Sequence, residues 1–226
     1  LFVKKIYKKD STILITLPSS KESLSLDNKK VNGHTDFFRK YYNNPNLSMC
    51  FISENENALL LTDHIPINKI SSSINDELII NQIQNTIINY ELYFNEIKTI
   101  YISGINPHCG ENGLIGNEDN IIKKSIPKLR NIFRKKVFKG PYPADTIHLN
   151  KFSKNKLFVY SYHDQGLTSF KSRNKFIGIN VTFGLPFLRL SVDHGTAENI
   201  YLKNKADING THFLLNKAIQ INKSYH

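Results

Sequence analysis

Three histidines, each just beyond a short apolar run, are of the residue type that grips a divalent ion. His64 follows Ala58-Leu59-Leu60-Leu61, His108 follows Thr99-Ile100-Tyr101-Ile102, and His163 follows Leu157-Phe158-Val159-Tyr160. Three imidazoles on one metal leave coordination positions open for a substrate. Two of them adjoin a carboxylate, Asp63 beside His64 and Asp164 beside His163. Asp164 is of the type that orients a ligating imidazole or takes part in proton transfer. A lone histidine after a strand is ordinarily a loop or capping residue. Three in the same relation to an apolar run favour a site.

The elements that must position them follow from pattern. Apolar runs bounded by Gly, Pro or Asn predict buried strands, and in open α/β sheets ligands bind beyond the strands' carboxyl ends. Thr12 to Thr16 and 177–182 read as further strands, and Ser19-Ser20-Lys21-Glu22 as a cap opening a short helix. Leu78, Ile79, Ile83, Ile87, Tyr90 and Phe94 recur at helical spacing over 74–94, after three serines at 71–73. A helix from Asn117 is expected to kink or restart at Pro127, and another to run from Gly210 to about Asn222. The alternation predicts an α/β fold with a parallel or mixed sheet.

At 226 residues and 40% hydrophobic content, the chain can bury one full domain plus part of another, and no apolar run is long enough to span a bilayer. The net charge of +11 comes from scattered Lys and Arg without a nucleic-acid motif, so it suits an anionic small substrate better than DNA or RNA. Two cysteines are too few for a disulfide framework. With no secretory signal, the cytoplasm is the expected compartment.

Further candidates lie in the loops. Gly33-His34-Thr35-Asp36 brings an imidazole and a hydroxyl together, although a helix cap reads equally well. Asn106 to Gly116 carries three glycines ahead of a helix, backbone that can approach an anion or form a tight turn. Cys109 lacks any mark of an activated thiol. Lys171, Asn180 and Arg189 follow His163, and Arg189, set in an apolar segment, is the best of these for a phosphate or carboxylate. Ser191 to Thr196 opens a glycine-containing turn suited to a phosphate or dinucleotide.

Gly33-His34-Thr35, Thr62-Asp63-His64-Ile65-Pro66, Asn106 to Gly116, Gly140-Pro141-Tyr142-Pro143-Ala144-Asp145-Thr146, Tyr162-His163-Asp164-Gln165-Gly166 and Ser191 to Ala197 occur in this order. In these motifs the chain closely resembles the 4-hydroxythreonine-4-phosphate dehydrogenases of pyridoxal phosphate biosynthesis, from about Thr16 to about Lys217. The resemblance implies an α/β/α layered sheet of the isocitrate/isopropylmalate dehydrogenase type, one nearly complete domain plus part of a second. Residues 1–30 would be a remnant of the first domain and its connection. Residues 31–195 would bind metal and substrate and dimerise, and 196–226 would return to the first domain as helices. Relatives carry roughly a further third of chain ahead of this region, with a Gly-rich segment that helps build the cleft. They also usually have small residues and glycine where Tyr201-Leu202-Lys203-Asn204 stands here.

By resemblance, the reaction is oxidation of 4-phosphohydroxy-L-threonine with NAD or NADP, followed by decarboxylation to 3-amino-2-oxopropyl phosphate, in a homodimer with active sites at the subunit interface. A divalent metal, zinc, cobalt or magnesium, would sit on His64, His108 and His163. His34, Thr35, Lys171, Asn180 and Arg189 would hold the phosphorylated substrate, with Asp164 and Lys171 in catalytic roles. His194, Gly195, Thr196, Ala197 and Asp207 would meet the cofactor. The competing expectations are a metal-dependent hydrolase or isomerase of a phosphorylated molecule, and an inactive remnant.

Overall fold

The computed structural model describes residues 12–19, 24–175 and 177–224, so the expected helix start at 19–22 lies largely outside the described residues. The strands are β1 (Ile13–Thr16), β2 (Ser25–Leu26), β3 (Lys29–Lys30), β4 (Ser48–Ile52), β5 (Asn57–Leu60), β6 (Thr99–Ser103), β7 (Val137–Tyr142), β8 (Lys156–Tyr160), β9 (Ile179–Phe183) and β10 (Leu188–Val192). The helices are α1 (His34–Tyr41), α2 (Ile70–Ser73), α3 (Asp76–Tyr93), α4 (Asn120–Ile132), α5 (His163–Asn174) and α6 (Asn209–Ser224). Apart from the β2–β3 hairpin, the strands form one mixed sheet in the order β1-β10-β9-β4-β5-β8-β6-β7. Strands β5, β8, β6 and β7 run parallel, while β10, β9, β4 and β5 pair antiparallel.

The period-two alternation of β4, β5, β6 and β8 feeds two cores. Leu157 and Val159 of β8 join Leu59, Ile100, Ile102 and Val181 beneath Ile79, Ile83 and Ile87 of α3 and Ile122 and Leu129 of α4. Phe158 and Tyr160 point the other way, to Leu60, Tyr101 and Leu167 and Phe170 of α5. Burial of each such side chain contributes about 1.5–3 kcal/mol. Helices therefore cover both faces, the expected α/β/α layering.

Two local expectations are corrected. The serines at 71–73 close the short α2, and Asn75 caps α3, its side chain accepting the Leu78 amide at 2.8 Å. Asn at this position satisfies an orphan N–H of the first turn. Nor does the helix restart at Pro127: α4 is a single segment through it. Lys123, whose carbonyl loses its donor, is solvent-exposed, while Ile122, Ser125, Ile126 and Leu129 stay buried on the opposite face. Among the described residues no helix is long and apolar enough to cross a membrane.

Candidate active-site cleft

Because β5, β8 and β6 are adjacent and parallel, the loops bearing His64, His163 and His108 all leave the same edge of the sheet. His163 opens α5, and its ring lies 5.4 Å, centroid to centroid, from that of His64. His108 does not join them. It is exposed on a segment in which residues 108–112 all adopt positive φ, and among the described residues no group of three His, Cys, Asp or Glu is placed to hold a metal. Two imidazoles this close could share one ion, and among the described residues no third ligand stands with them.

The His64–His163 pair opens on a cleft of about 230 Å³ whose walls include His34, Lys171, Asn180, Asp193, His194 and Gly195. His34 begins α1 immediately after Gly33, whose φ of 117° is a conformation that favours glycine. Burial, together with the nearby Arg189 guanidinium, holds the His34 imidazole below its ordinary pKa of 6.5. Thr35 is buried in the same turn. Lys171 reaches from α5 to donate to the backbone carbonyl of Asp193. Asn180 stands on β9, its Oδ1 buried without a hydrogen-bond partner; the same holds for both carboxylate oxygens of Asp193 and for His194 Nε2. Buried polar atoms are nearly always paired, so this cluster marks a place for a ligand. Burial raises the Asp193 pKa, with Lys171 and His194 opposing the rise.

Arg189 sits behind this wall, only 3% exposed, on β10 between β1 and β9. Its Nε and Nη2 donate to Thr16 Oγ1 at 3.0 and 2.7 Å, and Nη1 to Thr182 Oγ1 at 3.1 Å. Burial lowers its pKa to about 10, so it stays cationic near neutrality. Its hydrogen-bond partners are neutral hydroxyls, and among the described residues it has no carboxylate partner.

Two struts hold the imidazole loops. Asp63 accepts the His64 amide at 2.6 Å and pairs with Arg39 of α1 at 2.7 Å. Burial opposes its ionisation, but the Arg39 hydrogen bond and charge prevail and lower its pKa. Asp164 Oδ1 lies 2.6 Å from His163 Nδ1, and the Asp164 carboxylate itself is largely exposed. Sequence reasoning passed over Gln165, which accepts from Ser161 N and Ser103 Oγ and donates to the Gly104 carbonyl, tying the ends of β6 and β8 together. The next residue must be glycine-sized: a Cβ at Gly166 would meet Leu60 Cδ2 at 2.8 Å and Tyr160 at 2.9 Å.

The glycine-rich loop after β6 is anchored from within at its start. Ile105 and Asn106 donate their amides inward to the buried carboxylate of Asp119, at 2.7 and 3.1 Å. Cys109, its pKa raised by burial to about 11, is no activated thiol.

A second cleft, of about 770 Å³, adjoins the first and shares Leu17, Pro18, His194 and Gly195 with it. Thr196, Ala197 and Asp207 line it, as do Tyr201 and Leu202. All the residues expected to meet a cofactor thus border one hollow. Asp207 Oδ1 also accepts the Asn209 amide at 2.8 Å, at the start of α6.

The model of the pyridoxal phosphate biosynthetic protein PdxA matches residues 3–220. The chain belongs to the PdxA family. It is 36% identical over 216 residues to the 4-hydroxythreonine-4-phosphate dehydrogenase of Pseudoalteromonas atlantica, covering 93% of this chain and 65% of that protein. The counterpart from Hydrogenobaculum is 37% identical over 202 residues, covering 89% of this chain and 63% of that relative. Among solved structures, the 4-hydroxythreonine-4-phosphate dehydrogenase of Klebsiella pneumoniae superposes with a TM-score of 0.74 at 28% identity, over 93% of this chain and 64% of its own. An isocitrate dehydrogenase from Methylococcus capsulatus shares the fold, with a TM-score of 0.56 at 9% identity, over 94% of this chain and 68% of its own. The chain spans less than two thirds of the length of the curated PdxA relatives it matches first.

Proposed function

We propose that the protein oxidises 4-phosphohydroxy-L-threonine at its C3 hydroxyl, with NAD or NADP as hydride acceptor, and that the resulting 2-amino-3-oxo-4-phosphooxybutanoate loses carbon dioxide to give 3-amino-2-oxopropyl phosphate. The observation that carries this reading is the convergence of His34, His64, His163, Lys171 and Asn180 on one cleft that opens into a second, lined by His194 to Ala197 and Asp207. Residues 31–195 supply the metal and substrate groups.

Arg189 and Lys171 provide fixed positive charge for the substrate's anionic groups. The buried guanidinium is pre-oriented by two hydroxyls, so little entropy is lost when an anion arrives. His34, favoured in its neutral form near neutrality by its lowered pKa, and Thr35 in the first turn of α1 orient the phosphate, helped by the positive end of that helix. Asp164, against His163 Nδ1, fixes the ring so that Nε2 faces outward. When bound, a divalent ion on the histidines supplies Lewis-acid polarisation of the reacting oxygen. Because His108 lies apart from the other two imidazoles within one chain, the three are drawn together from both subunits of a homodimer.

The test is nicotinamide absorbance. Full-length protein given 4-phosphohydroxy-L-threonine, a divalent metal and NAD or NADP is expected to produce the reduced-cofactor band. Substrate turnover without that band would replace this reading with a hydrolase or isomerase.

A further inference from the structure

The cleft wall has charge for anions, yet the proposed substrate also carries an ammonium group. Among the described residues lining the cleft, Asp193 is the one acidic side chain. It is only 6% exposed, and neither carboxylate oxygen has a hydrogen-bond partner. Room for it is built into the fold, since a Cβ on Gly178 would lie 3.3 Å from Asp193 Oδ2 and 2.8 Å from Phe170. The nearby Lys171 ammonium is spent on the Asp193 backbone carbonyl instead of the carboxylate. Asp193's own amide and the charges of Lys171 and His194 only partly offset its burial; a buried carboxylate short of donors is costly, and a cationic donor brought in by a ligand relieves it. Asp193 borders the cleft that contains the histidines and Lys171 but not the adjoining one, which favours the substrate over the cofactor as that donor's source.

We propose that Asp193 receives the substrate's amino group and so selects an amino acid over its deaminated counterpart. The assignment rests on the reading of the cleft as a phosphorylated amino-acid site. No covalent step is involved; the pair is a charge-assisted hydrogen bond between ammonium and carboxylate.

Calorimetric titration of the full-length protein and of Asp193→Asn tests it, with three probes: 4-phosphohydroxy-L-threonine, the same compound with hydrogen in place of the ammonium, and inorganic phosphate. The wild type is expected to prefer the amino compound by about tenfold or more, and the variant to bind the two within about twofold, as a lost charge-assisted pair requires. Inorganic phosphate should bind both proteins equally. Asp193→Ser, checked for fold by circular dichroism, is expected to behave as Asp193→Asn does. A preference retained in a folded variant, or absent from the wild type, overturns the proposal. So does loss of phosphate binding by a folded variant, since Asp193 would then act through Lys171. Failure of the wild type to bind inorganic phosphate overturns instead the reading of the cleft itself, and the amine assignment with it.

Discussion

The two walls of the cleft are made differently. Asn180 and Arg189 rise from neighbouring antiparallel strands in the interior of the sheet, where backbone ladders and core packing fix them. His64 and His108 hang on exposed loops beyond parallel strands, and His163 begins a helix. On the reading proposed above, the anion wall is completed within one chain and the imidazole wall only by a second copy, since His108 stands apart from His64 and His163. Strand-borne groups lose little freedom on binding, whereas loop-borne groups depend on local struts and on whatever closes over them.

That contrast predicts unequal mutational effects. His108→Ala is expected to abolish turnover and to weaken cobalt binding by more than the ~10–100-fold that losing an orienting partner costs. The thermal midpoint should stay within about 2 °C, because the residue is exposed. Cobalt absorption spectra check this, and full metal affinity in the variant would remove His108 from the imidazole wall. Next, Arg189→Lys should weaken phosphate binding about 10²-fold, a point charge replacing a planar fork already seated on two hydroxyls. An unchanged calorimetric isotherm would take Arg189 out of the anion wall.

Asp63→Asn should cost metal affinity about tenfold by loosening the His64 loop. Its signature is also in acid. The folded Asp63 pKa lies below the ordinary 3.8, so its stabilisation is present above that value and is lost as pH falls through the folded value. Thermal midpoints of the wild type should therefore drop towards those of the variant below about pH 4. The smallest effect has the opposite sign. With the Asp193 pKa raised by burial, folding is penalised once pH exceeds 3.8, where the unfolded chain ionises first. Asp193→Asn should thus stabilise the unliganded protein by about 1 kcal/mol at neutral pH, a gain that vanishes in acid denaturation series below pH 3.8.

Much of this was legible from residue order. The runs ahead of the three histidines are strands β5, β6 and β8, since β-rich apolar runs buried on both faces leave a plain signature. Strand β10 was harder to read. Leu188-Arg189-Leu190-Ser191-Val192 holds a cation at a buried position, and no local pattern announces that Thr16 and Thr182 will meet it there. Asp193 and Gln165 were likewise silent, because a buried carboxylate or amide is distinguished only by what surrounds it. The glycines at 110, 113 and 116 read equally as an anion approach or a tight turn, and no local pattern announces that Asp119, just ahead of α4, takes the Ile105 and Asn106 amides at the start of that loop.

Sequence alone determined the alternation of strands and helices, the edge of the sheet to which the histidine loops belong, and the family. Those depend on periodicity and on motifs that are local in the chain. Only the tertiary structure decided that two imidazoles and not three meet within one chain, that Arg189 is buried on hydroxyls, and that the buried Asp193 carboxylate borders the same cleft as the imidazole pair. These depend on the packing of residues up to 173 positions apart, where sheet register and helix placement, not neighbouring residues, set which groups touch.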